Sequence, residues 1–200
     1  MPLLPAGRGG YGVAMFAIDL GDGAQLRPLE PWQAEEFLAH MDRARDGIDP
    51  WIPWAARSTD LDSARTTLQR YADHAAQDTK RIYGIWLDGT LVGGVMFGTF
   101  DAAGGNAEMG CWLERSAQGR GLVTRAATHL VDWAFRVRGI HRITWLCRPD
   151  NVASSAVARR LGMRRDGVMR EDFAYRGSRH DTEVWSLLAP EWLERADERG

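Results

Sequence analysis

The sequence predicts an α/β (α+β) domain built on a mixed, mostly antiparallel central sheet flanked by helices. Hairpin-type apolar runs fill the first half of the chain, and strand and helix signals alternate in the second. One strand also runs through a glycine-punctuated turn directly into an amphipathic helix. With 200 residues, 44% of them hydrophobic, the chain is long enough to bury a core without staples.

Residues 1–14, rich in Gly and Pro and without period, are expected to form a flexible N-terminal arm, and residues 15–200 a single domain. Residues 17–19 and 24–28 read as short strands around a Gly21-Asp22-Gly23 turn. A helix follows from Pro31, a residue suited to a first turn, with Ala34, Phe37, Leu38 and Met41 at helical spacing up to Arg43. The prolines and tryptophans of residues 49–54 then forbid a regular helix. From Thr59 or Asp60 to Gln77, the pattern Leu61, Ala64, Leu68, Tyr71, Ala72, Ala75 marks a second helix.

Residues 81–87 and 91–100, joined by Asp88-Gly89, and residues 106–113 form an antiparallel meander. The helix after Gly121 places Leu122, Ala126, Leu130, Trp133, Ala134 and Val137 on one face and stops at Gly139. A strand over 142–147, a helix over 151–161 closed by Gly162, and strands over 163–172 and 183–188 complete the pattern, and residues 190–200 read as a charged, solvated helix end. The crossover from Glu108 through Cys147 sets its two strands parallel and leaves the glycine turn at the carboxyl end of the first.

Composition excludes several function classes. A net charge of −2, with no basic run and no alternation of basic and aromatic residues, speaks against nucleic acid as a partner. Cys111 and Cys147 lie far apart in apolar runs and suit small buried residues of a reducing compartment. The histidines at 40, 74, 129, 141 and 180 show no metal spacing and read as surface or capping residues, so no metal is expected. No apolar run nears the ~20 residues of a membrane span, and the start lacks a signal-peptide core, which gives a cytoplasmic protein with no membrane partner.

The segment from Gly110 to Gly121 carries the chemistry. Backbone N–H groups at a helix start lack intrahelical partners and sit at the positive end of the dipole, so they can cradle a diphosphate, and glycine permits close approach. A dinucleotide fingerprint would need glycine at Thr124, and a P-loop would need Gly-Lys-Ser or Gly-Lys-Thr; neither is present.

The strand end Cys111-Trp112-Leu113, the run Gln118-Gly119-Arg120-Gly121-Leu122-Val123-Thr124, and the run from Cys147-Arg148-Pro149-Asp150-Asn151 to Ser154 and Ala158 together resemble the GNAT superfamily of acyl-CoA-dependent N-acyltransferases, and within it the RimJ/RimL type. The resemblance covers residues 25–188. The superfamily's diphosphate motif matches at Gln118 and Gly121 but has Val123 where Gly or Ala is usual. Valine keeps its N–H donor, so only closeness of approach suffers.

The resemblance implies a GNAT-like fold and acetyl-CoA, or another acyl-CoA, as cosubstrate. Its diphosphate would lie over residues 118–124 and its pantetheine arm along a splayed opening after Trp112 and Leu113, with Asn151 capping its helix and adding a cofactor contact. An amine would attack the thioester directly, with a backbone N–H near Leu113 holding the oxyanion. The expected acceptor is the α-amine of a protein or peptide. A small-molecule amine such as an antibiotic or amino acid, or a non-catalytic acyl-CoA sensor, are the alternatives, and oligomeric state is left open.

Among proton-handling candidates the resemblance ranks Glu108 first, as the carboxylate facing the attacking amine; a surface carboxylate is the competing reading, because a one-residue register change would turn it away. Ser154 matches the RimL-type serine that protonates the departing thiolate, and helix-start duty is its alternative. Where RimL-type enzymes carry a glutamate on the following strand, this chain has Phe173, which leaves Glu108, a shifted Glu171 or Asp172, or a water chain. Trp51 and Trp54 either line the acceptor groove or fix the proline-rich connection. Arg148, Arg159, Arg160, Arg164 and Arg165 either meet the CoA 3′-phosphate or are solvated.

Overall fold

The computed structural model describes residues 17–52 and 57–197, so the expected arm and Trp54 lie outside the described residues. Its elements are β1 (Ile18–Gly21), β2 (Ala24–Pro28), α1 (Ala34–Ile48), α2 (Leu61–Ala76), β3 (Arg81–Leu87), β4 (Thr90–Asp101), β5 (Asn106–Leu113), α3 (Leu122–Arg136), β6 (Arg142–Cys147), α4 (Val152–Arg160), β7 (Arg164–Tyr175), β8 (Ser178–Leu188) and α5 (Ala189–Asp197). The eight strands form one sheet in the order β1-β2-β3-β4-β5-β6-β8-β7. Every neighbouring pair is antiparallel except β5 and β6, the two ends of the crossover through α3.

Each sheet face carries its own core. On one face α1 and α2 bury Phe37, Met41 and Leu68 against Ile82, Trp86, Leu91 and Trp112. On the other, α3, α4 and α5 bury Ala126, Val131, Ala158 and Trp192 against Val95, Met109, Ile143 and Trp145. Strand alternation produces this division: Met109 and Trp112 of β5 differ by an odd number of residues and so face opposite ways.

The first helix runs five residues past the expected Arg43, because Ala44 and Ile48 continue the buried stripe of Phe37 and Met41. The last strand begins at Ser178, five residues before the expected 183. Its first half is polar, so alternation is silent there, and the hairpin is set by Arg176 and Gly177 at φ 48° and 78°. Val137, expected on the apolar face of α3, is 69% exposed, because the helix ends at Arg136 and the chain leaves through Gly139 at φ 67°.

Close strand approach fixes the centre of the sheet. A Cβ at Gly94 of β4 would lie 2.2 Å from the Trp112 ring and 2.3 Å from the backbone oxygen of Tyr83. Backbone cannot yield as a side chain does, so Gly94→Ala should destabilise the fold by about 2 kcal/mol. A lower urea midpoint at unchanged m-value is the expected reading.

Candidate active site

Strands β5 and β6 pair from Asn106↔Arg142 to Met109↔Trp145 and then part, although β5 continues to Leu113 and β6 to Cys147. Beyond that point β5 holds only to β4, through Leu113↔Gly93, and β6 only to β8, through Cys147↔Glu183. The wedge opens earlier than the expected position after Trp112 and Leu113. It leaves main-chain groups of Gly110 to Leu113 facing the gap, and such groups need partners. A groove of about 740 Å³ follows the wedge.

At the end of the wedge lies the glycine turn. Gly119 and Gly121 have φ of 78° and 70°, and Gly121 occupies the cap position of α3 with no side-chain cap, so the first-turn N–H groups of that helix stay open. Gln118, Gly119, Gly121, Leu122, Val123 and Thr124 all line the groove. Val123 buries its side chain in the core on the α3 face, which accounts for valine at this place. The Thr124 hydroxyl oxygen is buried without a hydrogen-bond partner. Open amides, an orphaned hydroxyl and a helix dipole fit a diphosphate. Arg120 does not line the groove; its carbonyl is held at 3.1 Å by Arg125, which also pairs with Asp22 at 2.8 Å and so braces the turn from outside.

Glu108 lines the groove on the same strand face as Trp112. Gly98 leaves room for it: a Cβ there would sit 3.1 Å from the carboxylate. Burial raises the Glu108 pKa above its ordinary value, and Lys80 pulls the other way. Ser154 also lines the groove, and its hydroxyl accepts the Trp145 indole N–H at 2.9 Å. An indole N–H only donates, so the serine proton stays available for another acceptor. Asn151 caps α4, its side chain accepting the Ser154 N–H at 3.1 Å, and also lines the groove.

The sequence matches the family described as Acetyltransferase (GNAT) domain over residues 24–164. The chain belongs to the GNAT acetyltransferase family. Among relatives, it is 27% identical over 183 residues to YdaF of Bacillus subtilis (strain 168), named provisionally as a ribosomal N-acetyltransferase, covering 89% of this chain and 98% of that protein. It is 26% identical to the ribosomal-protein-serine acetyltransferase of Escherichia coli (strain K12), over 77% of this chain and 86% of that one. In fold, it superposes on a RimL ribosomal L7/L12 alpha-N-protein acetyltransferase in complex with coenzyme A with a TM-score of 0.81 at 22% identity, covering 88% and 99% of the two chains.

This GNAT groove is also lined by Ile48, Trp51, Met96, Asp172, Phe173 and Thr182. The Trp51 ring both lines the groove and is fixed in place, with the Arg148 guanidinium 5.0 Å above it. A register shift between Met169 and Phe173, with Glu171 at φ 52°, turns Asp172 and Phe173 toward the groove and leaves Glu171 exposed outside it. Arg148 is committed to Asp150 and Trp51, Arg159 to the Trp185 ring and Arg165 to Glu183. Arg160 is the one of the five candidate arginines, besides Arg148, that lines the groove.

One sequence reading needs correction. His40, read as surface or capping, is fully buried and accepts the Trp112 indole N–H at 3.0 Å. Its place between Phe37 and Ala44 on the apolar stripe of α1 was the signal. The cysteines, read as small buried residues, are free thiols packed in or against the core, and both also line the groove. Burial pushes the Cys111 thiol up to about 12 and raises that of Cys147. Among the described residues no cluster of His, Cys, Asp or Glu could hold a metal, and no helix is long and apolar enough to cross a membrane.

Proposed function

We propose that the chain transfers an acetyl group from acetyl-CoA to the α-amine of a protein or peptide, with the ribosomal-protein N-termini named for its relatives as the acceptor class. The carrying observation is the uncapped start of α3, with its orphaned Thr124 hydroxyl, opening into the wedge between β5 and β6. The seat takes the diphosphate, and the exposed edge of β5 takes the extended pantetheine arm as a strand takes a neighbour. Asn151 contacts the same arm.

Glu108 receives the proton of the attacking amine, directly or through one water, as the nitrogen bonds to the thioester carbonyl carbon. A backbone N–H near Leu113 holds the oxyanion. Ser154 gives its proton to sulfur as the carbon–sulfur bond breaks and regains one from solvent, to which Glu108 releases its own. Neither cysteine serves as nucleophile, since thiols raised by burial hold almost no thiolate near neutral pH. An α-amine of pKa about 8 is partly neutral in that range, whereas a lysine near 10.4 is not, so one weak carboxylate base suffices only for the former.

A thiol-release screen with acetyl-CoA against α-amine peptides, lysine peptides and small amines tests the reading. The expected result is turnover on α-amine peptides. Turnover confined to small amines would move the acceptor class, and coenzyme A binding without any turnover would favour a sensor.

A further inference from the structure

We propose that Asp49 acts as a strap, joining the β7–β8 hairpin to the end of α1 and so setting the width of the acceptor end of the groove. The acceptor role rests on the acyltransferase function proposed above, and the tie itself on geometry. Asp49 follows the last residue of α1, where the negative end of the helix dipole disfavours a carboxylate, and it is only 6% exposed. A buried anion in that position is costly unless paired. It accepts the Tyr175 hydroxyl at 2.9 Å and is paired with the Arg176 guanidinium, both at the tip of the hairpin.

The strap joins two separate elements of the groove lining. Ile48, Trp51 and Ile52, at and just past the end of α1, line the groove, and so do Asp172, Phe173 and Thr182 of the β7–β8 hairpin. Asp49 stands inside the first set, and Tyr175 stacks on Phe173 of the second with ring centroids 5.9 Å apart. The tie therefore fixes Phe173 relative to Trp51.

Little else fixes the hairpin. β7 is the edge strand, pairs only with β8 and is exposed along most of its length, so burial does not determine where its tip rests. The segment after α1 is anchored independently, with Arg148 donating to the Pro50 carbonyl at 3.4 Å and stacking on Trp51. Cutting the strap frees the hairpin, not the tryptophan.

Tyr175→Phe keeps the ring on Phe173 and removes only the hydroxyl, whereas Asp49→Asn removes the charge. Both should raise the acceptor KM by about five- to tenfold, the size of one ordinary net hydrogen bond, with kcat and the KM for acetyl-CoA within about twofold of wild type. Hydrogen–deuterium exchange should quicken together in residues 48–52 and 173–179. An unchanged acceptor KM, equal rises in both KM values, or unchanged exchange would overturn the strap. If wild type acetylates no amine at all, the acyltransferase reading falls, and exchange alone decides the strap: coupled acceleration sustains it and unchanged exchange refutes it.

Discussion

Glu108→Gln should lower kcat by about 10²-fold while leaving the KM for acetyl-CoA nearly unchanged, because the substitution removes a proton acceptor and keeps the shape of the groove wall. The carboxylate works as a base only when ionised. Its folded pKa is raised, by burial first and against the pull of Lys80, so the wild-type rate should fall on acidification at a pH above the ordinary carboxylate range. The glutamine variant should lose that limb. Stability moves the other way, which separates chemistry from unfolding. A group whose folded pKa exceeds its unfolded value stabilises fully below the unfolded pKa, and that contribution is lost as pH rises through the folded one. At neutral pH the ionised, half-buried Glu108 is therefore a liability, and the variant should melt no lower than wild type. A variant at full rate from about pH 6 to 9 would show that Glu108 is not the base.

The glycine turn and the uncapped start of α3 were legible in the sequence because their physics is local. Glycines at 119 and 121 and a helical stripe from Leu122 need no distant contact to announce a strand, a turn and an uncapped helix start. The parallel crossover was legible for the same reason: an intervening helix between two strands forces it. The wedge opens three to four residues earlier than the sequence predicts, because alternation tells which way a side chain points and is silent on which neighbouring strand a backbone group pairs with. The β7–β8 hairpin was shortened because its projecting half buries too little to leave an apolar rhythm. There, a bulge before Phe173 also brings two consecutive residues to the groove, an arrangement strict alternation forbids. His40 shows the opposite case: it lies buried on the apolar stripe with Phe37 and Met41, where a polar side chain adds nothing to the apolar rhythm.

His40 should make the fold acid-labile through one identifiable proton. The Trp112 indole donates to Nε2, so the ring hydrogen is on Nδ1, which faces the Glu114 carboxylate at 3.4 Å. Burial lowers the His40 pKa from 6.5 to about 4, outweighing the attraction of Glu114, while Arg43 adds to the lowering. A depressed folded pKa means that the neutral ring's stability is complete above the unfolded value and is lost as pH falls toward the folded one. Protonation would also turn Nε2 into a donor facing a donor, breaking the bond that holds Trp112 against α1. His40→Gln can still accept from the indole but does not titrate. Other acid-sensitive carboxylates are common to both proteins, so the difference between their urea unfolding free energies isolates this proton. The variant should be the less stable at pH 7.5 and should close or reverse the gap by pH 4.5. Parallel profiles across that range would mean that the imidazole is not the group that titrates. Trp112 also lines the wedge, so the same proton should weaken coenzyme A binding in wild type over this range and leave the variant's affinity flat.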